Sequence, residues 1–80
     1  MPTVFIQNGY RVSFYSYDLA ERMHVHVFKD RHECKVWLDD LAVAFNHGFN
    51  AREIAEIRRM IAERRAEIVE RWLEHGRHGN

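Results

Sequence analysis

The fold of this chain is decided by residues 24–37, which read HVHVFKDRHECKVW. Apolar and polar residues alternate on both sides of Asp30-Arg31, and this period of two is typical of β-strands. The segment therefore predicts two antiparallel strands, over His24–Lys29 and His32–Leu38, joined by a turn at Asp30-Arg31.

The register of this hairpin follows from the sorting of its side chains. A two-residue or a four-residue loop pairs Val25 with Val36 and Val27 with Cys34, and we take these four residues as the core face. A three-residue loop would slip the register and mix the two faces. On the predicted register, the opposite face carries His24, His26 and Phe28 across from Trp37, Lys35 and Glu33.

A second hairpin is predicted before the first. Asn8-Gly9 is a strong signal for a type I′ turn, which needs a positive φ at both central residues. Thr3–Ile6 would form the first strand and Tyr10–Tyr17 the second, with Val12 and Phe14 on one face. Residues 39–47 are ambiguous, because alternating apolar residues favour a strand whereas the alanines between them also suit a helix.

The chain changes character after Gly48 and becomes rich in Ala, Arg, Glu and Ile. Asn50 is a suitable N-cap, and Glu53 completes a capping box. A long helix is predicted from Ala51 to about Glu74, with a bend near Arg64-Arg65 where the apolar stripe thins. The stripe consists of Ile54, Ile61, Ile68 and Trp72, with Ile57 on one flank and Ala62, Val69 and Leu73 on the other.

The predicted class is α+β: a small antiparallel sheet of four to five strands with a long C-terminal helix packed on one face. Residues 1–80 are expected to form one domain, with a β-rich meander over 1–47 and the helix over 50–75. At this size a single core supplies only about 3–5 kcal/mol of stability. A homodimer or a partner protein is therefore expected.

Charge and cysteine content exclude several classes of protein. The 80 residues include 12 basic and 12 acidic ones, so polyanion binding would need a local patch rather than a global field. The single cysteine, Cys34, excludes an internal disulfide and a cysteine zinc cage, and it is expected in the core. The sequence shows neither an apolar run of membrane-spanning length nor a secretory signal, so we expect a cytoplasmic protein.

His24-Val25-His26 is the sharpest local feature. Residues i and i+2 of a strand point the same way, so the two imidazoles could bind zinc or another transition metal, or transfer a proton. A third metal ligand would have to come from Asp18, Glu21, His32 or Glu33. The alternative is a pair of surface histidines without a special role, and the sequence indicates no small-molecule cofactor.

The predicted face that carries these histidines combines aromatic and basic residues: Arg11, Tyr15, Tyr17, His24, His26, Phe28, Lys35 and Trp37. Aromatic rings beside basic side chains can stack unpaired RNA bases and hold phosphates. The alternative is that a partner, a second protomer or residues 39–47 cover this face.

Two arginines of the predicted helix, Arg58 and Arg65, flank the apolar stripe one heptad apart. They could contact phosphate or carboxylate groups. Alternatively, their stems lie over apolar surface and their charged ends are solvated.

Several short stretches, taken in their order along the chain, resemble a known family. They are Met1–Phe5, Asn8–Arg11, Tyr15–Asp18, His24–Val27, Gly48-Phe49, Ala51–Ile54 and Trp72. Together they are similar to the small bacterial domain-of-unknown-function family 4160. The chain departs from the family where Arg22-Met23 replaces a proline before the histidine strand, and where Asp30–His32 replaces a glycine-rich turn.

The resemblance implies a small bacterial gene that lies beside another short gene, as in toxin–antitoxin-like modules. The family is not a characterised enzyme class. We therefore expect a component of such a two-gene module that acts through a partner protein and, in one version, on RNA. If the protein is an enzyme, a ribonuclease-like activity would use His24 and His26, with Arg11 or Lys35 steadying phosphate. A non-catalytic homodimeric interaction module and a small His-x-His metal-binding protein are the alternatives.

Overall fold

The structure, a computed structural model, describes residues 3–15 and 20–78, with side chains up to residue 76. In chain order the elements are β1 (Thr3–Gln7), β2 (Tyr10–Ser13), β3 (His24–Lys29), β4 (His32–Trp37), β5 (Val43–His47), α1 (Ala51–Glu63) and α2 (Arg65–His78). The strands form one open antiparallel sheet in the order β1-β2-β3-β4-β5. The α+β class is confirmed, with the fifth strand present.

The register of the β3–β4 hairpin is confirmed. Val25 pairs with Val36 and Val27 with Cys34, and Lys29 pairs with His32 across a two-residue loop. Asp30, the first loop residue, has a φ of 56°. Aspartate tolerates this left-handed conformation better than most residues, which explains why a hairpin forms here without glycine.

The first hairpin also forms at Asn8-Gly9, where both residues have positive φ (52° and 82°). Val12 and Phe14 are buried, as the alternation predicts. β2 ends at Ser13, earlier than expected. The predicted continuation of this strand to Tyr17 lies in part outside the described residues.

The ambiguity of residues 39–47 is resolved by pairing with β4. Lys35 pairs with Phe45 and Val36 with Val43, so the alternating residues form an edge strand. The connection before it turns tightly, because the amide of Leu41 donates to the carbonyl of Trp37, and Leu41 adopts a φ of 62°. This conformation is strained for a residue that has a branched side chain.

The helical region begins as predicted and is divided at Arg64. Asn50 and Glu53 form both hydrogen bonds of the capping box. The guanidinium of Arg64 lies 3.6 Å from the ring centroid of Phe5 and donates to Gln7, which ties the division between the helices to β1. α2 passes the expected end at residue 75 and reaches His78, because Gly76 keeps a helical conformation instead of the left-handed one that ends helices.

The core lies between the helices and one face of the sheet. Its fully buried members include Val12, Val25, Val27, Cys34 and Val36 from the strands and Ile57, Ile61 and Ile68 from the helices. The predicted core face of the β3–β4 hairpin is therefore confirmed. Among the described residues, no helix is both long and apolar enough to cross a membrane.

Candidate functional site

The second face of the sheet collects most of the residues that the sequence singled out. We call it the aromatic face, and it comprises Arg11, Tyr15, His24, His26, Phe28, Lys35, Trp37 and Phe45. Cross-strand pairing places them together: Arg11 lies beside Phe28, His26 beside Lys35, and Lys35 beside Phe45. Tyr17 was also predicted here, but it lies outside the described residues.

His24 is not a solvent-exposed histidine, so the alternative of a surface pair does not describe it. Its side chain is fully buried between two tryptophan rings, with centroids 5.6 Å away at Trp37 and 5.3 Å away at Trp72 of α2. Its Nδ1 lies 2.9 Å from the carbonyl oxygen of Arg22. A carbonyl oxygen only accepts, so Nδ1 of His24 carries the proton.

His26 is also buried, with 6% of its surface exposed. Its ring lies 5.2 Å from that of His24 and 4.6 Å from that of Tyr15. Its Nδ1 lies 3.0 Å from Oε2 of Glu33, on the neighbouring strand. The carboxylate therefore orients the imidazole, as it would in a proton-transfer pair, but burial limits the access of a substrate to either ring.

The histidine pair does not form part of a recognisable metal cluster. Across residues 3–15 and 20–76, no three His, Cys, Asp or Glu side chains come together in a way that could hold a metal. Asp18, one of the four predicted third ligands, is outside the described residues. The metal-binding interpretation therefore stays a prediction.

The cations of the aromatic face stack on its rings. Arg11 lies 4.9 Å from the centroid of Phe28, and Lys35 lies 4.6 Å from that of Trp37. Arg22, which sequence analysis did not assign to the face, lies 4.5 Å from the same tryptophan. Trp37 is half-buried, and two cations lie over its ring.

Carboxylates neutralise most of these cations. Lys35 lies 3.4 Å from Glu21, and Arg22 donates to Asp39 through two nitrogen atoms. The hydrogen bonds from Arg22 hold the pKa of Asp39 below its usual range. No ion pair joins Arg11 to a carboxylate of the described residues. The face is thus close to neutral, with Arg11 as its one uncompensated cation in the described part of the chain.

Arg58 and Arg65 do not join the aromatic face. Arg58 donates through Nε to the carbonyl oxygen of Leu41 at 2.8 Å, and Arg65 donates through Nη2 to that of Asp39 at 2.6 Å. Both arginines therefore hold the loop between β4 and β5. Helical spacing alone did not indicate these contacts with the loop.

Cys34 occupies the predicted core position. It is fully buried, and burial raises the pKa of its thiol to about 12, with a smaller effect from Glu33. A thiol with this pKa is a poor nucleophile at neutral pH.

Sequence reasoning did not single out Phe45 on the face, nor two residues that border it: Arg22, over Trp37, and Ile6, beside Arg11. Ile6 pairs with Arg11 at the edge of the sheet and is 66% exposed. Alternation could not place either apolar residue. β1 carries three apolar residues in a row, and in β5 a register shift puts Val43 opposite Val36 but Phe45 opposite Lys35, on the other face. Arg22 lies outside any strand, so no periodic pattern could place it.

The fold and this face define a small open-sheet α+β protein with a half-exposed aromatic surface and no recognisable catalytic cluster in its described residues. The model of a family described as a domain of unknown function, DUF4160, matches residues 9–73. The chain therefore belongs to this family. No curated protein and no solved structure matches the chain.

Proposed function

We propose that the protein is the binding component of a bacterial toxin–antitoxin-like two-gene module, and that its aromatic face contacts the protein encoded by the neighbouring gene. The observation that carries this proposal is the chemistry of the face. Phe28, Trp37 and Phe45 are half-buried, so part of each ring stays accessible on the side of the sheet opposite the core. Surfaces of this kind on small proteins usually mark an interaction site.

The charge arrangement favours a protein partner over a polyanion. Lys35 and Arg22 are already paired with carboxylates and lie over the ring of Trp37. Tryptophan and arginine are the residues that most often dominate protein interfaces, where neutralised charges add specificity at the rim. Zero net charge of the whole chain agrees with this interpretation, because long-range attraction to nucleic acid is missing.

The assignment to a two-gene module is supported by the family resemblance, which implies a short neighbouring gene. A chain of 80 residues also has a small core, so a stabilising partner is physically reasonable. Binding to the folded form would add stability in proportion to the logarithm of partner concentration.

Single-stranded RNA is a second candidate ligand, and Arg11 is the observation that favours it. This arginine stacks on Phe28 at 4.9 Å and forms no ion pair with a described carboxylate, so it could hold a phosphate beside a stacked base. A ribonuclease-like use of His24 and His26 has less support, because both rings are buried. A substrate could reach the two imidazoles only if the side chains that cover them moved away.

Co-expression with the neighbouring gene product tests the proposal. The tagged chain should copurify with that product, and Phe28→Glu or Lys35→Glu should weaken the complex at least tenfold in a binding titration. Arg59→Glu, which reverses an exposed charge on α1, is the matched control and should bind normally. Absence of copurification, or equal binding by all variants, would contradict the proposal.

A titration of fluorescein-labelled single-stranded RNA with the chain and its variants distinguishes RNA binding from binding of a protein partner. Binding that Arg11→Ala abolishes, without a protein partner, would favour the second candidate. Induced expression of the chain alone in a bacterial host then shows on which side of the module it acts. Arrested growth indicates a toxin, and normal growth indicates the other component.

A further inference from the structure

α2 carries a second apolar stripe that the sheet does not use. Ile68 and Trp72 are buried against the sheet, whereas Val69 is half-buried and Ala66 and Leu73 are exposed. Leu73 keeps 48% of its surface exposed, which makes it, with Ile6, one of two exposed large hydrophobic residues in the described chain.

The stripe surrounds a depression of about 490 Å³ that is lined by Arg65, Ala66, Val69, Glu70 and Leu73. Four of these residues stand at positions i, i+3, i+4 and i+7 of α2: Ala66, Val69, Glu70 and Leu73. This is the arrangement of the hole that receives a side chain of a facing helix in knobs-into-holes packing. Ala66 supplies the depth, because its methyl group leaves room between the larger neighbours.

A second depression, of about 290 Å³, adjoins the first and shares Arg65 and Val69 with it. Its other lining residues are Arg22, Met23, Leu38 and Asp39. The two depressions form one groove along α2 and the start of the β4–β5 loop. We call it the α2 groove.

The two rims of the α2 groove differ in charge. On the loop side, Arg65 is already engaged with the carbonyl oxygen of Asp39. On the solvent side, Glu70 lines the depression and Glu74 follows one turn later on α2; both are exposed, and neither forms an ion pair with a described residue. The carboxylates that remain available to a ligand therefore make this rim acidic.

A second copy of this chain fits the groove poorly. A two-fold axis through the depression would place the α2 helices antiparallel and bring Glu70 of one copy close to Glu70 of the other. Like charges at such positions destabilise helix pairs. A helix with basic flanking residues instead places Lys or Arg against the same carboxylates.

We propose that the α2 groove binds an amphipathic helix of a partner protein, with an aliphatic side chain in the depression and Lys or Arg along the flank that faces Glu70. This surface meets the aromatic face only at Arg22, which borders both, and its other residues are different. The proposal holds whether or not that face binds the neighbouring gene product.

Two designed helical peptides of equal length test this proposal directly. Both carry a leucine seam; one has lysines at the flanking positions and the other has glutamates. In spectra of the ¹⁵N-labelled full chain, the lysine peptide should shift the amide signals of Ala66, Val69 and Leu73. Its affinity should exceed that of the glutamate peptide at least tenfold.

Variants of the groove make the test specific. Leu73→Glu, and Ala66→Phe, which fills the depression, should each weaken binding of the lysine peptide at least tenfold. Glu70→Lys should reverse the preference between the two peptides. Ile6→Glu alters the other exposed hydrophobic residue and should leave binding unchanged. Circular dichroism of each variant establishes that its fold is retained.

Three outcomes would overturn the proposal. The first is equal affinity for the two peptides, which indicates unspecific adhesion of apolar surfaces. The second is binding that neither Leu73→Glu nor Ala66→Phe affects. The third is a dimer in sedimentation equilibrium that Leu73→Glu dissociates, which would make a second copy the occupant.

Discussion

Arg58 of α1 donates a hydrogen bond through Nε to the carbonyl oxygen of Leu41, at 2.8 Å. Leu41 has a φ of 62°, a conformation that costs on the order of 1 kcal/mol for a residue other than glycine. The arginine thus fixes the strained point of the loop between β4 and β5 from the helical layer. Arg65 supports the same loop one heptad later, at the carbonyl oxygen of Asp39.

Replacing Arg58 should therefore destabilise the protein although its side chain is exposed. We expect Arg58→Ala to lower the free energy of unfolding by about 1 kcal/mol, since a carbonyl acceptor loses its donor. Urea unfolding followed by circular dichroism measures this. Arg59→Ala, which removes the adjacent exposed arginine, should change stability by less than about 0.5 kcal/mol. Equal effects of the two variants would show that the bond to Leu41 contributes nothing.

Gly48 should tolerate no side chain. Its φ is +109°, and a Cβ at this position would lie 2.3 Å from Cδ2 of His32. We expect Gly48→Ala to destabilise the protein by about 2–4 kcal/mol, through backbone strain and displacement of the imidazole from its contact with Phe49. Thermal and urea unfolding are the measurements.

A second glycine provides the control for this prediction. A Cβ at Gly76 would meet nothing within 4 Å, and the residue is helical. Gly76→Ala should therefore stabilise α2 by roughly 0.5–1 kcal/mol. Adding His32→Ala to Gly48→Ala should recover the part of the loss that comes from the steric clash. No recovery would assign the whole loss to backbone strain.

Cys34 should resist thiol reagents while the protein is folded. Burial raises the pKa of its thiol to about 12, so at mildly alkaline pH the reactive thiolate is scarce and enclosed. Ellman's reagent should react fully with the chain in denaturing urea and very slowly in buffer. Fast labelling in buffer, at a rate similar to that of a free thiol, would contradict the core position of this residue.

The Arg22–Asp39 pair should make stability depend on pH in the acid range. Hydrogen bonds from Arg22 lower the pKa of Asp39 in the folded state. The pair therefore contributes its full stabilisation at pH values above the ordinary pKa of an aspartate. This stabilisation is lost as the pH falls through the lowered pKa of Asp39. Asp39→Asn should reduce the acid dependence of the urea midpoint. An identical pH profile for the variant and the parent would exclude a contribution from this pair.

Local signals in the sequence predicted most of the fold. The register of β3 and β4 followed from alternation, because a one-residue slip would have exposed Val25 and Val27. Asn8-Gly9 and the capping box at Asn50 and Glu53 marked a turn and a helix start through interactions only a few residues apart. The division between the helices at Arg64 lies where the thinning apolar stripe predicted a bend.

The candidate site was predicted less completely. The sequence placed Arg11, His26, Lys35 and Trp37 on one face, and the cross-strand pairing agrees. It did not predict the burial of His24, because the ring that covers it belongs to Trp72, far along the chain. It also did not predict that Arg58 and Arg65 hold a loop, since helical spacing says nothing about the carbonyl groups nearby.

By itself, the sequence of this protein determined the two tight hairpins and the start of the helix, because these choices depend on neighbours within a few positions. Only the tertiary structure decided which polar side chains are buried, which cations are neutralised and where apolar surface is left over. The buried histidine and the leftover apolar surface depend on how α2 lies against the sheet, whereas the ion pairs depend on where the loops place Glu21, Arg22 and Asp39. The exposed stripe through Val69 and Leu73 is one result, and the enclosed histidine pair is another.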